Sequence, residues 1–282
     1  MTDVCSPETV AASPQLAPSP ERRADRRLGD RAATVLLPVG GLLIAVGVWW
    51  LVARGELVHP AALPPPGEVL AAFVEQPARM LEHTWATTRE ILIGFGLSAV
   101  AGVLLGLALA ASRIVERMFT PLLVAVNAVP KITLGPLLVV TLGWGQTPIL
   151  TMVFLLCFFP IVLSTTTGLT STPADLAELA RSLNASRWQA FRKVRFPAAL
   201  AQIFVGLKVA MPLAAIGAVI GEFQAGEGGL GYVIQQYAGM GDTATAWAAI
   251  MLVALVSILL YAALLLAERR ALPWVREVTS RH

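Results

Sequence analysis

Charge is scarce in this chain. Of its 282 residues, 14% are Asp, Glu, Lys or Arg, against about 25% in an ordinary soluble domain. That argues against a soluble globular protein and for an integral membrane protein. There are 2 cysteines. Cys5 lies in a polar tail and Cys157 in an apolar run, so neither a disulfide framework nor a metal site with ligand spacing is expected. The 3 histidines, His59, His83 and His282, are scattered. No Ser/His/Asp or Cys/His constellation accompanies them, so catalysis by this chain finds no support. The phosphate-cradling pattern G-x-x-x-x-G-K-[ST] is missing, so the chain has no nucleotide loop of its own. Its halves do not repeat, and Glu222 is the only carboxylate placed near a membrane segment. Both points count against an ion-coupled secondary transporter acting alone.

What is there is apolar: A, V, I, L, M, F, W, Y and C make up 56%. The expected fold class is an all-α integral membrane protein with about six transmembrane helices of about 20 residues each. Their approximate positions are 33–53, 90–111, 119–142, 148–169, 198–221 and 245–267. The third is interrupted by Pro130, Lys131, Gly135 and Pro136 and reads as a broken helix. Residues 1–31, rich in Pro, Ala, Ser and charge, read as a disordered tail. The expected division is this tail, a first helix with its outer connection (32–82), a transmembrane core (83–268) and a C-terminal tail (269–282). In the connection, the prolines of "HPAALPPPGEVLAAF" favour extended chain, and a short helix is expected after Pro66.

The net charge of +3 comes mostly from arginine, and the basic residues cluster. Arg22, Arg23, Arg26, Arg27 and Arg31 precede the first apolar run. Arg113 and Arg117 separate the second from the third. Arg181, Arg187, Arg192, Lys193 and Arg195 separate the fourth from the fifth. Arg269, Arg270, Arg276 and Arg281 follow the sixth. The opposite loops hold Arg54 and Arg79. The positive-inside rule puts both termini and the segment 172–197 in the cytoplasm.

That segment carries local order. Thr172-Pro173-Ala174-Asp175 is a helix start with proline at the first helical position. Leu176, Leu179, Ala180 and Leu183 fall on one face, and Asn184 suits the left-handed residue that ends such a helix. Ser186-Arg187-Trp188-Gln189 is a second capping box. Trp188, Phe191 and Val194 form an apolar stripe, and Pro197 is expected to end the helix. Two short helices and a tight turn fit three readings. One is a solvated basic loop. A second is a helix-turn-helix DNA reader, disfavoured by tethering to the bilayer at both ends. The third is a docking knob for a cytoplasmic partner.

Spacing then connects the segment to a known family. Glu178-Leu179-Ala180, three residues, Asn184, nine residues, then Val194-Arg195-Phe196-Pro197 resembles the "EAA" loop of permease subunits of binding-protein-dependent ABC importers. Leu179, Val194 and Phe196 are mild departures from that pattern, and Asn184 stands where the family has glycine. The resemblance runs from about Pro60 to Trp274, through "TWATTREILIGFGLSAVAGVLLGLALAASR", "NAVPKITLGPLLVVTLGWG", "FFPIVLSTTTGL", "FPAALAQIFVGLKVAMPLAAIGAVIGEF" and "GEGGLGYVI". It is similar to the nitrate, sulfonate, taurine and bicarbonate type, which includes members for thiamine precursors. The resemblance implies the type I importer permease fold in a bacterial plasma (inner) membrane. It implies a second copy of the permease, a cytoplasmic ATPase dimer that grips the coupling loop, and an extracytoplasmic solute-binding protein. ATP and Mg²⁺ would be bound by the ATPase, with no cofactor in this chain and no nucleic acid.

Other features keep two readings each. Gly226, Gly228 and Gly231 match G-x-G-x-x-G, but no strand precedes them, so a dinucleotide site is rejected. The resemblance makes Gly228, Gly229 and Gly231 an outer gate loop; a plain flexible loop is the alternative. Gly94, Ser98, Gly102, Gly106 and Ala110, four apart, suit close helix packing. Arg89, Lys208 and Glu222 lie near expected span ends, where they can snorkel. Lys131, beside Asn127, is deeper. It is a candidate cavity charge on the translocation path if the solute is an anion, and otherwise a snorkelling or gate-stabilising lysine.

Overall fold

The computed structural model describes residues 37, 39–55, 62–171, 182 and 184–273. The chain divides into two compact units, 1–57 and 58–282. In the first, α1 (Val39–Arg54) is apolar, and the Arg54 guanidinium lies 4.4 Å over the Trp50 ring. At 1.5 Å per residue the described part of α1 covers about 24 Å of the ~30 Å hydrocarbon layer. Residues 33–36 and 38 of the expected first span lie outside the described residues.

The second unit is helical throughout among the described residues. Pro65 is extended, and Pro66 opens α2 (Pro66–Glu75), as its ring geometry favours. The helix α3 (Pro77–Ala111) begins thirteen residues before the expected span, because no breaker follows Pro77 until Ser112. Its first turns therefore carry polar residues on a continuous helix. Then come α4 (Arg113–Ala128), a 3-10 turn (Lys131–Leu134) and α5 (Gly135–Leu142). The expected broken span is present here, bent by 73°. Val129, held extended ahead of Pro130, makes the break, and Pro136 starts the new helix. Next are α6 (Gln146–Thr170), α7 (Arg187–Ala190), a π turn (Phe191–Arg195), α8 (Phe196–Ala225), α9 (Leu230–Met240) and α10 (Thr243–Ala271). Asp242 caps α10, accepting from the Thr245 N–H at 3.0 Å.

Four helices among the described residues are long and apolar enough to cross a membrane, and the bent pair makes up to five. The remaining apolar helix is α1, and part of its expected span lies outside the described residues.

The core lies between α3, α6 and α8. Ile91, Val153, Cys157, Ile161, Ala210 and Ala214 are fully buried in it. Lipid tails are as apolar as leucine, so burial does little to drive helices together in a membrane and close packing has to. The small residues of α3 meet branched residues of α6. A Cβ at Gly94 would lie 2.6 Å from Val153 Cβ, and one at Gly106 2.6 Å from Thr165 Cβ. On the other face of α6, Gly206 of α8 packs on Ser164.

Candidate functional site

Residues 172–181 and Leu183 lie outside the described residues, and with them Glu178, Leu179 and Ala180. From Asn184 onward the geometry follows from local chemistry. Asn184 has φ 49°, a left-handed conformation that asparagine tolerates and β-branched residues resist. The Ser186 N–H donates to Gln189 Oε1 at 2.9 Å, and the Gln189 N–H donates to Ser186 Oγ at 3.2 Å. This reciprocal box starts the next helix. Trp188 stacks on Phe191 with ring centroids 5.8 Å apart and remains 67% exposed. Val194, Phe196 and Pro197 are half-buried, while Arg192, Lys193 and Arg195 are exposed. Leu107 and Ala111 of α3, Leu169 of α6, Trp188, Phe191 and Arg195 line a recess of about 390 Å³.

Pro197 does not end the helix; the helical path continues from Trp188 to Ala225. A proline in a regular helix clashes with the carbonyl four residues back, here that of Lys193. The wider π turn relieves this, with the Phe196 N–H bonded to the Phe191 carbonyl. The aromatic segment is thus continuous with a core helix.

The structure brings Asn127 and Lys131 together across the broken span. Lys131 Nζ donates to Asn127 Oδ1 and, at 3.4 Å, to the Asn127 carbonyl. Asn127 is exposed and Lys131 half-exposed, so this cation sits on an open face rather than in the helix core. By contrast, a recess of about 500 Å³ between α8, α9 and α10 is lined by Pro212, Ile216, Val219, Phe223, Ile234 and other residues that are apolar apart from Ser257, and it offers little for a polar solute to bind.

Gly228, Gly229 and Gly231 belong to a clasped loop. Three successive N–H groups at the start of α9 are taken up by side chains of other helices. The Gly229 N–H donates to His83 Nδ1 at 3.1 Å. The Leu230 N–H donates to Thr87 Oγ1 at 2.8 Å. The Gly231 N–H donates to Glu222 Oε2. The Thr87 hydroxyl in turn donates to Glu222 Oε1 at 2.6 Å. These N–H groups have no partner within their own helix, and the helix dipole favours a carboxylate there. Gly229, at φ 96°, and Gly231 leave the space the carboxylate fills; a Cβ on either would overlap it.

Glu222 does not snorkel. It is 1% exposed, because α8 continues past the expected end to Ala225. Lys208 is ion-paired instead, holding Glu268 at 2.8 and 3.0 Å. The sequence reading missed Thr87 and Glu90 as neighbours of Glu222, and His83 as the acceptor of the Gly229 N–H. Their signal was polar residues at i, i+4 and i+7 on one face of a helix. Glu268 was likewise missed.

Helices of this length and hydropathy, packed through small residues, define a multi-pass membrane protein. Comparison with known proteins narrows the class. Residues 100–273 match the family described as "Binding-protein-dependent transport system inner membrane component". The chain is 34% identical over 245 residues to the formylaminopyrimidine transport permease protein of Halalkalibacterium halodurans, covering 86% of this chain and 98% of that one. It is 30% identical over 268 residues to the taurine transport system permease protein of Escherichia coli, covering 92% and 98%. It is 35% identical over 241 residues to the riboflavin transport system permease protein of Chloroflexus aurantiacus, covering 84% and 89%. The chain belongs to the inner-membrane permease family of binding-protein-dependent ABC importers.

Proposed function

We propose that two copies of this chain enclose a path for a small anionic solute and take their drive from a separate ATPase that docks on residues 172–197. Lys131 carries the reading of the solute. A lysine within a membrane span is costly unless it faces water or a partner. Here it stands at a break in a span, on an exposed face, and bonds to its neighbour Asn127. A second copy closing over α4 and α5 would place Asn127 and Lys131 beside a polar path. The basic clusters orient both termini and the 172–197 loop to the cytoplasm. The 226–231 loop then lies outside, where a binding protein delivers solute. ATP and Mg²⁺ belong to the ATPase, since this chain lacks the phosphate loop. The taurine relative supports the anionic class. The formylaminopyrimidine relative supports a second reading, a thiamine precursor.

Uptake separates the two. The permease, ATPase and binding protein are reconstituted in vesicles and offered taurine, an alkylsulfonate, nitrate, bicarbonate and a formylaminopyrimidine. ATP-driven accumulation of one of the anions is expected; accumulation of the pyrimidine alone would overturn the anionic reading. Lys131→Gln is expected to lower anion uptake about tenfold, the worth of one charge-assisted hydrogen bond. Its thermal stability should be unchanged, because its bonds are local and exposed. Unchanged uptake would remove Lys131 from the path.

A further inference from the structure

We propose that Glu222, Thr87 and His83 form a releasable latch on the loop before α9, and that opening it is a step of the transport cycle. The inference rests on the reading of the 226–231 loop as the outer gate. The bonds join three helices at one point. His83 and Thr87 come from α3, Glu222 from α8, and the donors from the start of α9. Whatever moves α8 relative to α3 must therefore act on this cluster, and α8 is continuous with the aromatic segment at Trp188.

The cluster contains more than a static cap needs. One acceptor per N–H suffices to close a helix start. Here a second carboxyl group, that of Glu90, is 5% exposed and lies beside that of Glu222. Its Oε2 has no hydrogen-bond partner among the described residues. Two buried carboxyl groups side by side, one oxygen unsatisfied, are destabilising and call for an explanation. A latch supplies one, because the closed arrangement is held by good bonds yet kept from being too stable. The α3 side is also prepared for release. The Thr87 hydroxyl already has a second acceptor, the His83 carbonyl at 3.2 Å, so withdrawal of Glu222 leaves it satisfied. On the loop side, Gly226, Gly228 and Gly229 impose little resistance to a change of backbone path.

The test follows amide exchange at Gly229, Leu230 and Gly231 in the intact complex of permease and ATPase. It compares the nucleotide-free form with a form held by ATP on a hydrolysis-deficient ATPase. About tenfold faster exchange with ATP is expected, the loss of one such bond. Equal protection in both forms would overturn the latch. Thr87→Val keeps the shape and removes the bonds to Leu230 and Glu222. It is expected to speed exchange in the nucleotide-free form and to make ATP hydrolysis partly independent of the binding protein; Thr87→Ser should restore both. Faster exchange with hydrolysis still fully dependent on the binding protein would make the cluster a static cap. If Thr87→Val does not assemble, His83→Ala removes the bond to Gly229 and a ring contact with Tyr232, leaves the Thr87 and Glu222 side-chain bonds in place, and is read the same way. Failure of the importer reading is distinguishable: hydrolysis by the unsubstituted complex would ignore the binding protein, while the exchange comparison would still report on the latch.

Discussion

Replacement of Gly206 by leucine is expected to leave no folded permease in a detergent extract. A Cβ at this position would lie 2.5 Å from Ser164 Cβ and 3.1 Å from the Pro160 carbonyl oxygen. Apolar contacts are comfortable at about 3.5–4 Å, so α6 and α8 would have to separate by about 1 Å before the rest of the leucine is placed. Overpacking a close-packed core by far less costs about 1–3 kcal/mol, a large part of a total stability of about 5–15 kcal/mol. Separation would also loosen the α3 contact on the other face of α6. Gly96 provides the contrast, since a Cβ there meets nothing within 4 Å. Gly96→Leu should give a monodisperse protein with unchanged thermal stability. Size-exclusion chromatography of the two variants decides the matter; equal recovery would refute the packing account.

Glu222→Ala is the second change with a large expected effect. It removes the acceptor of the Gly231 N–H and one acceptor of the Thr87 hydroxyl. Thr87 falls back on the His83 carbonyl; the Gly231 N–H does not. A buried donor left without a partner costs about 1–3 kcal/mol. The loop before α9 should then open about ten- to a hundredfold more often, at roughly 1.4 kcal/mol per tenfold. Glu227 in that loop is exposed, so a glutamate-specific protease should cut after it correspondingly faster. Glu222→Gln keeps one acceptor and should fall between. Unchanged cleavage in Glu222→Ala would show that the carboxylate does not hold the loop.

Local rules made some of this legible in the sequence. Pro130 and Pro136 announce the broken span because proline acts on its immediate neighbours. The Ser186–Gln189 box and the left-handed Asn184 are also short-range, and the four-residue rhythm from Gly94 to Gly106 is a helix-face pattern. The resemblance between Glu178 and Pro197 rests on spacing, and Glu178, Leu179 and Ala180 lie outside the described residues. What escaped was non-local. Glu222 and Thr87 are 135 residues apart in the chain, and only the fold brings the carboxylate under α9. Lys208 and Glu268 are likewise joined by the packing of α8 on α10. Pro197 misled for another reason: the rule that proline stops a helix omits the wider turn that lets one continue.

The claim on which the rest depends is that the segment ending at Pro197 holds the ATPase. Trp188 tests it cleanly, because a side chain 67% exposed contributes little to this chain's own packing, while exposed aromatic anchors often dominate an interface. Tagged permease is purified with its ATPase from cells making both, and the ATPase recovered per permease is measured for the native chain and for Trp188→Glu. Recovery should fall about tenfold or more, the effect of losing an anchor of about 2 kcal/mol, with membrane insertion intact. Full recovery of the ATPase with Trp188→Glu would contradict the account.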